Sequence, residues 1–447
     1  MMQGCCKYLA NDQSYQELGK LIADDHLLKK VNDCINFDSI ERLTEKYYSP
    51  NNGRPSFPPR QYFKMMLVKH LFSIKSNRSL VREVRYNVSY RWFCEFNLSD
   101  SIPHHASLSN IKKRFTVELF ENFFLAILEQ CKEQGLISSQ SVMTDSTLFQ
   151  ANAAVSSMRL KEPKSDNTPN KDKKTTKISN KTHASKTDPD ATLAYKAGTA
   201  RTLKYKAHIS SDSGSRIITA IKITTGAVHD SKPYIEQVNY LKDKVKLKIS
   251  EAIADRAYGS GNIISSLERN GVKTYIPLFS SRSGSSNNSV VPGFTYDTNN
   301  DEYICSNNEV LKPYPEDNDY VIYRILGGKC KNCPISESCQ GPKKKGRTGR
   351  FIRRHLYFDL FIQVNKKMKE TKFQEKLNER LWKIEGIMNE IKNYHGLNRA
   401  HYRGLDNVQI QGYMAAIAVN IKRVVFCAWI FWCLKIKQHE FLSLNCL

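Results

Sequence analysis

The sequence lacks any apolar run long enough to span a bilayer. Its most apolar stretch, Val424–Leu434 (VVFCAWIFWCL), has eleven residues, about half of the ~20 that a spanning helix needs. It is expected to pack as a buried helix, with no membrane partner. The N-terminal MMQGCCKYLANDQS lacks the charged-then-apolar pattern of a secretory signal. Cysteine is too sparse for a disulfide scaffold, at 12 in 447 residues, so a reducing, cytoplasmic setting is expected. No internal repeat is evident. Acids are also short: 44 Asp+Glu stand against 68 Lys+Arg, a net charge of +24. An excess of that size marks a polyanionic partner. With the membrane set aside, that partner is nucleic acid.

What is present falls into segments. Residues 15–135 read as mainly helical: YFKMMLVKHLFSI (62–74) is continuously apolar, RSLVREVRYNVSYRWFCEF (78–96) alternates basic and apolar positions, and SLSNIKKRFTVELFENFFLAILEQCKEQG (107–135) runs from a serine cap to Gly135. GRPSFPPRQ (53–61) is a non-helical entry to this region. Short basic helices of this kind suit helix-turn-helix docking on DNA and a plain bundle equally. From Ser141 the pattern changes. SVMTDST predicts a short strand ending at Asp145, residues 203–227 a hairpin around Ser-Asp-Ser-Gly, 231–244 a helix, KLKISEAIADRAYGS a strand with Asp255 just past its end, and 261–271 a helix. This is an α/β order. Two stretches interrupt it: residues 156–190, polar, basic and expected to be flexible, and an insertion over 280–375. Four parts are therefore expected: helical 1–136, a core first part 137–279, the insertion 280–375, and core helices 376–447.

The chemistry starts from the helix-like stretch Arg380–Gly404. Glu385 lies seven positions before Lys392, close to two full turns, so both share one helix face. Arg399, His401 and Arg403 follow at once. Carboxylates at strand ends, here Asp145 and Asp255, gather at a sheet edge where ligands bind. Three carboxylates with open coordination positions suit two Mg²⁺ ions, with Mn²⁺ able to substitute, acting on a phosphodiester.

These residues also carry a family resemblance. GRPSFPPRQYFKMMLVKHL, YRWFCEF, TDSTLFQANAA, DPDATLAYKAG with YKAH, TTGAVHDSK, ADRAYGS, KIEGIMNEIK, HGLNRAHYRGL and NIKR occur in family order over roughly residues 40–425. The chain resembles DDE transposases of bacterial insertion sequences, in the group with a helical N-terminal domain and a cysteine motif in the insertion. The resemblance implies an α/β fold: an RNase H-like catalytic core, an N-terminal all-helical domain that recognises terminal inverted repeats, and an insertion before the last catalytic helix. It implies that Asp145, Asp255 and Glu385 are the catalytic, metal-binding triad. Lys392 matches the lysine that contacts the transposon-end backbone. Arg380, Arg399 and Arg403 are expected to bind DNA beside it, although the wider superfamily places its arginine and upstream tyrosine at positions that are Leu381 and Leu377 here. Tyr258 matches the aromatic of the second motif, where Ala257 replaces a glycine. His229 and Asp230 match a pair after the hairpin and are expected to support the site. A homodimer pairing two double-stranded DNA ends, and acting on target DNA near the nucleoid, is implied as well.

Cys330, Cys333 and Cys339 read C-x₂-C-x₅-C, and Cys305 is a candidate fourth ligand for structural Zn²⁺. Three reduced thiols in a loop are the alternative. Lys343, Lys344, Lys345, Arg347, Arg350, Arg353 and Arg354 follow without an acid, a candidate phosphate-binding run. The expected function is metal-dependent cleavage at terminal inverted repeats and 3′-hydroxyl strand transfer. The alternatives are a catalytically inactive relative that only binds DNA, for which the apolar tail WIFWCLKIKQHEFLSLNCL would be a mark of decay, and a nuclease that hydrolyses without joining.

Overall fold

A computed structural model of the chain describes residues 2–4, 12–138, 140–161, 178–195, 198, 200–279, 293–315, 320–325, 329–335, 339 and 351–444. They form two compact units, Met1–Ile253 with Asn378–Leu447, and Ala254–Leu377.

The first unit opens with eight helices, α1 (Gln13–Lys20), α2 (Leu27–Cys34), α3 (Ser39–Thr44), α4 (Pro59–Leu71), α5 (Asn77–Tyr86), α6 (Val88–Phe93), α7 (His105–Arg114) and α8 (Val117–Glu133). Proline at the first position of α4 costs nothing, because that N–H has no helical partner. Beyond it α4 is buried on every face from Gln61 to Leu71, with Lys64, Lys69 and His70 among its buried residues. In α8 the buried residues Leu119, Phe120, Phe123, Phe124, Ile127, Leu128 and Cys131 fall on one helical stripe. Gly135, at φ +69°, ends the turn that follows. The single helix expected over 107–135 is two helices. Phe115 turns extended (φ −90°, ψ 135°) and enters an aromatic cluster with Tyr47, Tyr62, Phe63 and Phe120. The cap of α7 is His104, whose Nδ1 accepts from the Ala106 N–H, not Ser107. Asn87 likewise divides 78–96, capping α6 at the Ser89 and Tyr90 N–H groups.

The unit's sheet contains β1 (Ser141–Gln150), β4 (Thr192–Ala194), β5 (Thr202–Asp212), β6 (Ile218–Thr225) and β7 (Glu251–Ala254), in the order β4-β5-β1-β7 with β6 also on β5. The short strands β2 (Met158–Leu160) and β3 (His183–Ser185) pair separately, so both ends of the expected flexible excursion are folded. Residues 162–177 lie outside the described residues. The strand expected to end at Asp145 continues to Gln150, because β1 pairs with β5 continuously from Val142↔Asp212 to Gln150↔Lys204. Asp145 therefore sits in the middle of a central strand, not at its end.

After β6 come α9 (Tyr234–Asp243) and, in the second unit, a one-turn helix at Arg256–Tyr258, α10 (Gly261–Arg269) and β8 (Lys273–Tyr275). The second unit then folds a five-stranded antiparallel sheet from β9 (Phe294–Asp297), β10 (Glu302–Cys305), β11 (Val310–Pro315), β12 (Tyr320–Arg324) and β13 (Phe351–His355), followed by α11 (Phe358–Lys367). Tyr303, Leu311, Tyr323 and Ile352 form its core. The long helix α12 (Thr371–Asn393) leads back into the first unit, where α13 (Leu405–Leu444) ends the described chain.

α13 is longer and more apolar than the run at 424–434 suggested. Its Leu405–Trp429 stretch is long and apolar enough to cross a membrane, yet 78% of its most apolar window is buried inside the protein. It packs on α8, α4, α2 and β6. Among the described residues only β5 pairs with β6, so the other edge of β6 needs partners. α13 supplies them. Asn420 accepts from the Ile218 N–H (2.8 Å) and donates to the Ile218 carbonyl (2.9 Å), while Gln409 does the same for the Ile223 N–H (2.7 Å) and Ile221 carbonyl (3.0 Å). Gly412 between them permits this approach, since a Cβ there would stand 3.1 Å from Ile223. Asn420→Ala should leave a buried N–H and carbonyl unpaired and cost about 2 kcal/mol. Chemical denaturation measures it, and a loss under 0.5 kcal/mol would deny the edge-capping role.

Candidate active site

Side chains on β1 alternate between two faces. Asp145 and Thr147 share one face with Met143 and Phe149, and α12 lies against it. Arg380 Nη1 donates to Asp145 Oδ2 at 2.9 Å, and the Ser146 N–H donates to Asp145 Oδ1 at 2.7 Å. Twelve residues later, about 18 Å along the helix, Lys392 Nζ donates to Thr147 Oγ1 (3.0 Å) and the Leu148 carbonyl (2.9 Å). α12 is thus latched to the central strand at two points. Its buried residues Arg380, Ile384, Ile387, Met388 and Ile391 form the stripe that packs inward. Glu385 lies between the latches, is exposed, and has no hydrogen bond among the described residues. Arg380 is only 8% exposed. Its guanidinium pairs with Asp145 in the DNA-free chain. Lys392 keeps the face it shares with Glu385, but its ammonium is spent inside the unit. Arg399 and Arg403 are exposed, with Arg403 Nε donating to the Asn152 carbonyl at 3.2 Å.

The opposite face of β1 carries Ser146 toward the segment after the hairpin. Asp230 accepts from Lys206 Nζ at 2.6 Å, and the same ammonium donates to the Val228 carbonyl at 2.7 Å. Burial pushes the Asp230 carboxyl up, but hydrogen bonds from Lys206 and Ser146 and the lysine charge outweigh it and hold the group below its ordinary value. Asp230 is therefore bonded to the residue beside Asp145. His229 is exposed and bonds Ser231 Oγ. Nearby, His208 donates or accepts at Thr224 Oγ1 (2.9 Å), and burial lowers its pKa to about 4.

A second charged group on α12 escaped the sequence reading. Glu390 pairs with Arg423, with Lys422 (3.4 Å) and with His395 Nε2 (3.6 Å). His395 and His70, both buried, bond each other's carbonyls through Nδ1 at 2.9 and 3.1 Å, tying the end of α12 to α4. Burial would raise the Glu390 pKa, but His395, Arg423 and Lys422 together lower it to about 2. A usable signal was present: Glu390 is the sole acid between Glu385 and Asp406, and the NIKR motif carries its two cations.

In the second unit Asp255 caps the turn after β7, its Oδ1 accepting from the Ala257 N–H at 2.9 Å. Tyr258 in that turn is buried. Gly259 is required next, because a Cβ would meet the Pro277 carbonyl oxygen at 1.9 Å. Among the described residues no three His, Cys, Asp or Glu side chains come together as a metal-holding group. Cys305, Cys330, Cys333 and Cys339 are half-buried and in no disulfide, and no zinc site is assigned to them. In the basic run, residues 343–350 lie outside the described residues. Arg353 is exposed over the Tyr320 ring, whereas Arg354 points to the other face of β13, buried, bonded to Asp359 at 2.7 Å and stacked on Tyr296. Strand alternation thus puts Arg353 and Arg354 on opposite faces of β13.

Residues 16–114 match a family described as a transposase domain (DUF772), and residues 304–425 match one described as a transposase DDE domain. No curated protein matches the chain. Among solved structures, the piggyBac transposase synaptic complex with hairpin DNA is similar at 10% identity and a TM-score of 0.36, covering 95% of this chain and 77% of that one. The Mos1 transposase paired-end complex with the left transposon end aligns at 9% identity and a TM-score of 0.17, over 52% of this chain and 64% of that one. A pre-cleavage Mos1 transpososome aligns at 9% and 0.17, over 82% and 98%. Two segments, one before and one after the strands of the central sheet in sequence, thus match transposase families, and the chain is similar to DDE transposases.

Proposed function

We propose that the chain cleaves DNA at the ends of an insertion sequence and joins the released ends to target DNA. The observation that carries this reading is the double latch on β1 of α12, the helix that bears Glu385 and is matched to a transposase DDE domain, against the strand that bears Asp145. A sheet with a carboxylate on its central strand and helices packed on it supports an RNase H-like core. In the first step water attacks the phosphodiester at the element's end, the P–O3′ bond breaks and a 3′-hydroxyl leaves. In the second that hydroxyl attacks a target phosphodiester and displaces the target's own 3′-hydroxyl. Pairing two ends calls for at least two copies of the chain.

Divalent metal fits the donor chemistry. Asp145, Asp255 and Glu385 offer only oxygen, which hard cations such as Mg²⁺ or Mn²⁺ prefer. The Arg380 guanidinium already stands as a cation on Asp145. These three carboxylates would hold the ions, which when bound stabilise the attacking and leaving oxygens of the displacement. Arg380 neutralises Asp145 in their absence, and Lys392 anchors the far end of α12 through Thr147. In DNA-free protein, Arg380→Met should tighten Mn²⁺ binding about tenfold by calorimetry, since a competing positive charge is gone. Unchanged binding would deny that competition.

The direct test uses supercoiled plasmid carrying the element's ends, with Mg²⁺ or Mn²⁺. End-specific nicks and joined products are expected from the natural chain. Nicking without joining would leave a nuclease, and binding without nicking an inactive DNA-binding relative.

A further inference from the structure

Three segments distant in sequence meet at Tyr402: the end of α4, helix α7, and the loop between α12 and α13. Lys69 Nζ stands 5.5 Å and Lys112 Nζ 4.2 Å from the centre of the Tyr402 ring. Lys69 also donates to Asn77 Oδ1 at 2.9 Å, and Lys112 donates to Asn407 Oδ1. Both acceptors are neutral. Among the described residues no carboxylate pairs with either ammonium. The sequence around the cluster is equally one-sided, for residues 69–82, 101–117 and 391–405 contain no Asp or Glu at all. His401, next to Tyr402, feels the positive charge of Lys69 and Arg399.

Such an arrangement costs stability. An ammonium taken from water without a counter-ion is strongly disfavoured. Lys69 is 3% exposed; burial and the charge of Lys112 bring its pKa down to about 8, and burial alone does the same for Lys112. The ring face attracts both cations but neutralises neither. A purely structural position would be filled better by methionine or leucine. Charge held here against that cost is charge meant for an anion.

We infer that the Lys69–Lys112–Tyr402 cluster is a phosphate site that takes one backbone phosphate of the DNA on which the chain acts. The identity of the anion as DNA rests on the function proposed above. Because α4 and α7 belong to the matched N-terminal transposase domain and Tyr402 follows the helix bearing Glu385, one phosphate here joins the DNA-recognising helices to the catalytic segment.

The experiment compares the full chain with Lys69→Met, Lys112→Met and the double variant. DNA affinity is measured by fluorescence anisotropy across a salt series, and melting temperature with and without inorganic phosphate. Each substitution should weaken DNA binding about tenfold and lower the slope of log affinity against log salt by about one. Each should also raise the melting temperature of the free protein, since an uncompensated charge is removed. Phosphate should stabilise the natural chain and not the double variant. If Lys69→Met does not fold, Lys112→Met, on a half-buried side chain, carries the comparison. Variants that bind DNA with unchanged affinity and slope overturn the site while leaving the DNA reading intact. Natural protein that ignores DNA, yet is stabilised by phosphate only while both lysines are present, overturns the DNA reading and keeps the site. Equal stabilisation of natural and double-variant protein by phosphate overturns the site outright.

Discussion

Asp145→Asn should abolish metal-dependent cleavage by about a thousandfold or more while leaving DNA binding within about twofold. A metal ion contributes several kcal/mol of transition-state stabilisation, and each 1.36 kcal/mol is a factor of about ten in rate. Asparagine keeps the shape of the side chain, and its Oδ1 can still accept from the Ser146 N–H as the aspartate does. What it loses is the charge that faces Arg380 and that would hold a cation. Glu385→Gln should match it in the cleavage assay with less effect on stability, because Glu385 is exposed and unpaired among the described residues. Single-turnover nicking of end-bearing DNA is the measurement. Cleavage within tenfold of the natural rate in either variant would remove that residue from the active site.

The largest effect on folding is expected at Glu390. Glu390→Gln removes the one carboxylate that, among the described residues, faces Arg423, Lys422 and His395, and leaves Arg423, a residue only 20% exposed at its side chain, without it. Breaking such a pair from one side costs about 3–5 kcal/mol. The same group sets an acid limit. Its pKa is lowered to about 2 from an ordinary 4.5. A depressed carboxylate stabilises the fold fully above its unfolded value, so this contribution is present above about pH 4.5. It is lost as pH falls from there toward about 2, roughly 3 kcal/mol in all. Urea midpoints followed from pH 6 to pH 3 should fall steeply in the natural chain and more gently in Glu390→Gln. Parallel curves would mean that other carboxylates govern acid unfolding.

Part of the geometry around α12 was legible in the order of residues, and the exceptions have physical causes. Helical spacing was enough to put Glu385 and Lys392 on one face, since that depends only on 3.6 residues per turn. It could not say that the ammonium of Lys392 would be consumed by Thr147 and Leu148, because that contact joins residues 245 and 244 positions apart. The same limit applies to Arg380: its register is irregular against the transposases that the chain resembles, whereas its pairing with Asp145 is set by how α12 lies on β1. β1 outran its expected end because pairing with β5, not local composition, decides strand length. Helices 78–96 and 107–135 broke where Asn87 caps and Phe115 finds an aromatic pocket. Neither event interrupts the apolar pattern enough to be seen in advance. Arg354 was counted with its neighbours as a surface cation, yet alternation along β13 turns it inward. Gln409 and Asn420 read as ordinary polar residues of an apolar helix until the open edge of β6 gave them a purpose.

The proposed function requires that Asp145, Asp255 and Glu385 serve one metal site. Iron-directed cleavage tests it most directly: the DNA-bound protein is loaded with Fe²⁺ in place of Mg²⁺, treated with ascorbate and peroxide, and its backbone breaks are mapped. Breaks near residues 145, 255 and 385 together, all suppressed by excess Mg²⁺ and all absent in Asp145→Asn, are the predicted result. Breaks that omit any one of the three positions, or that persist in Asp145→Asn, would contradict it.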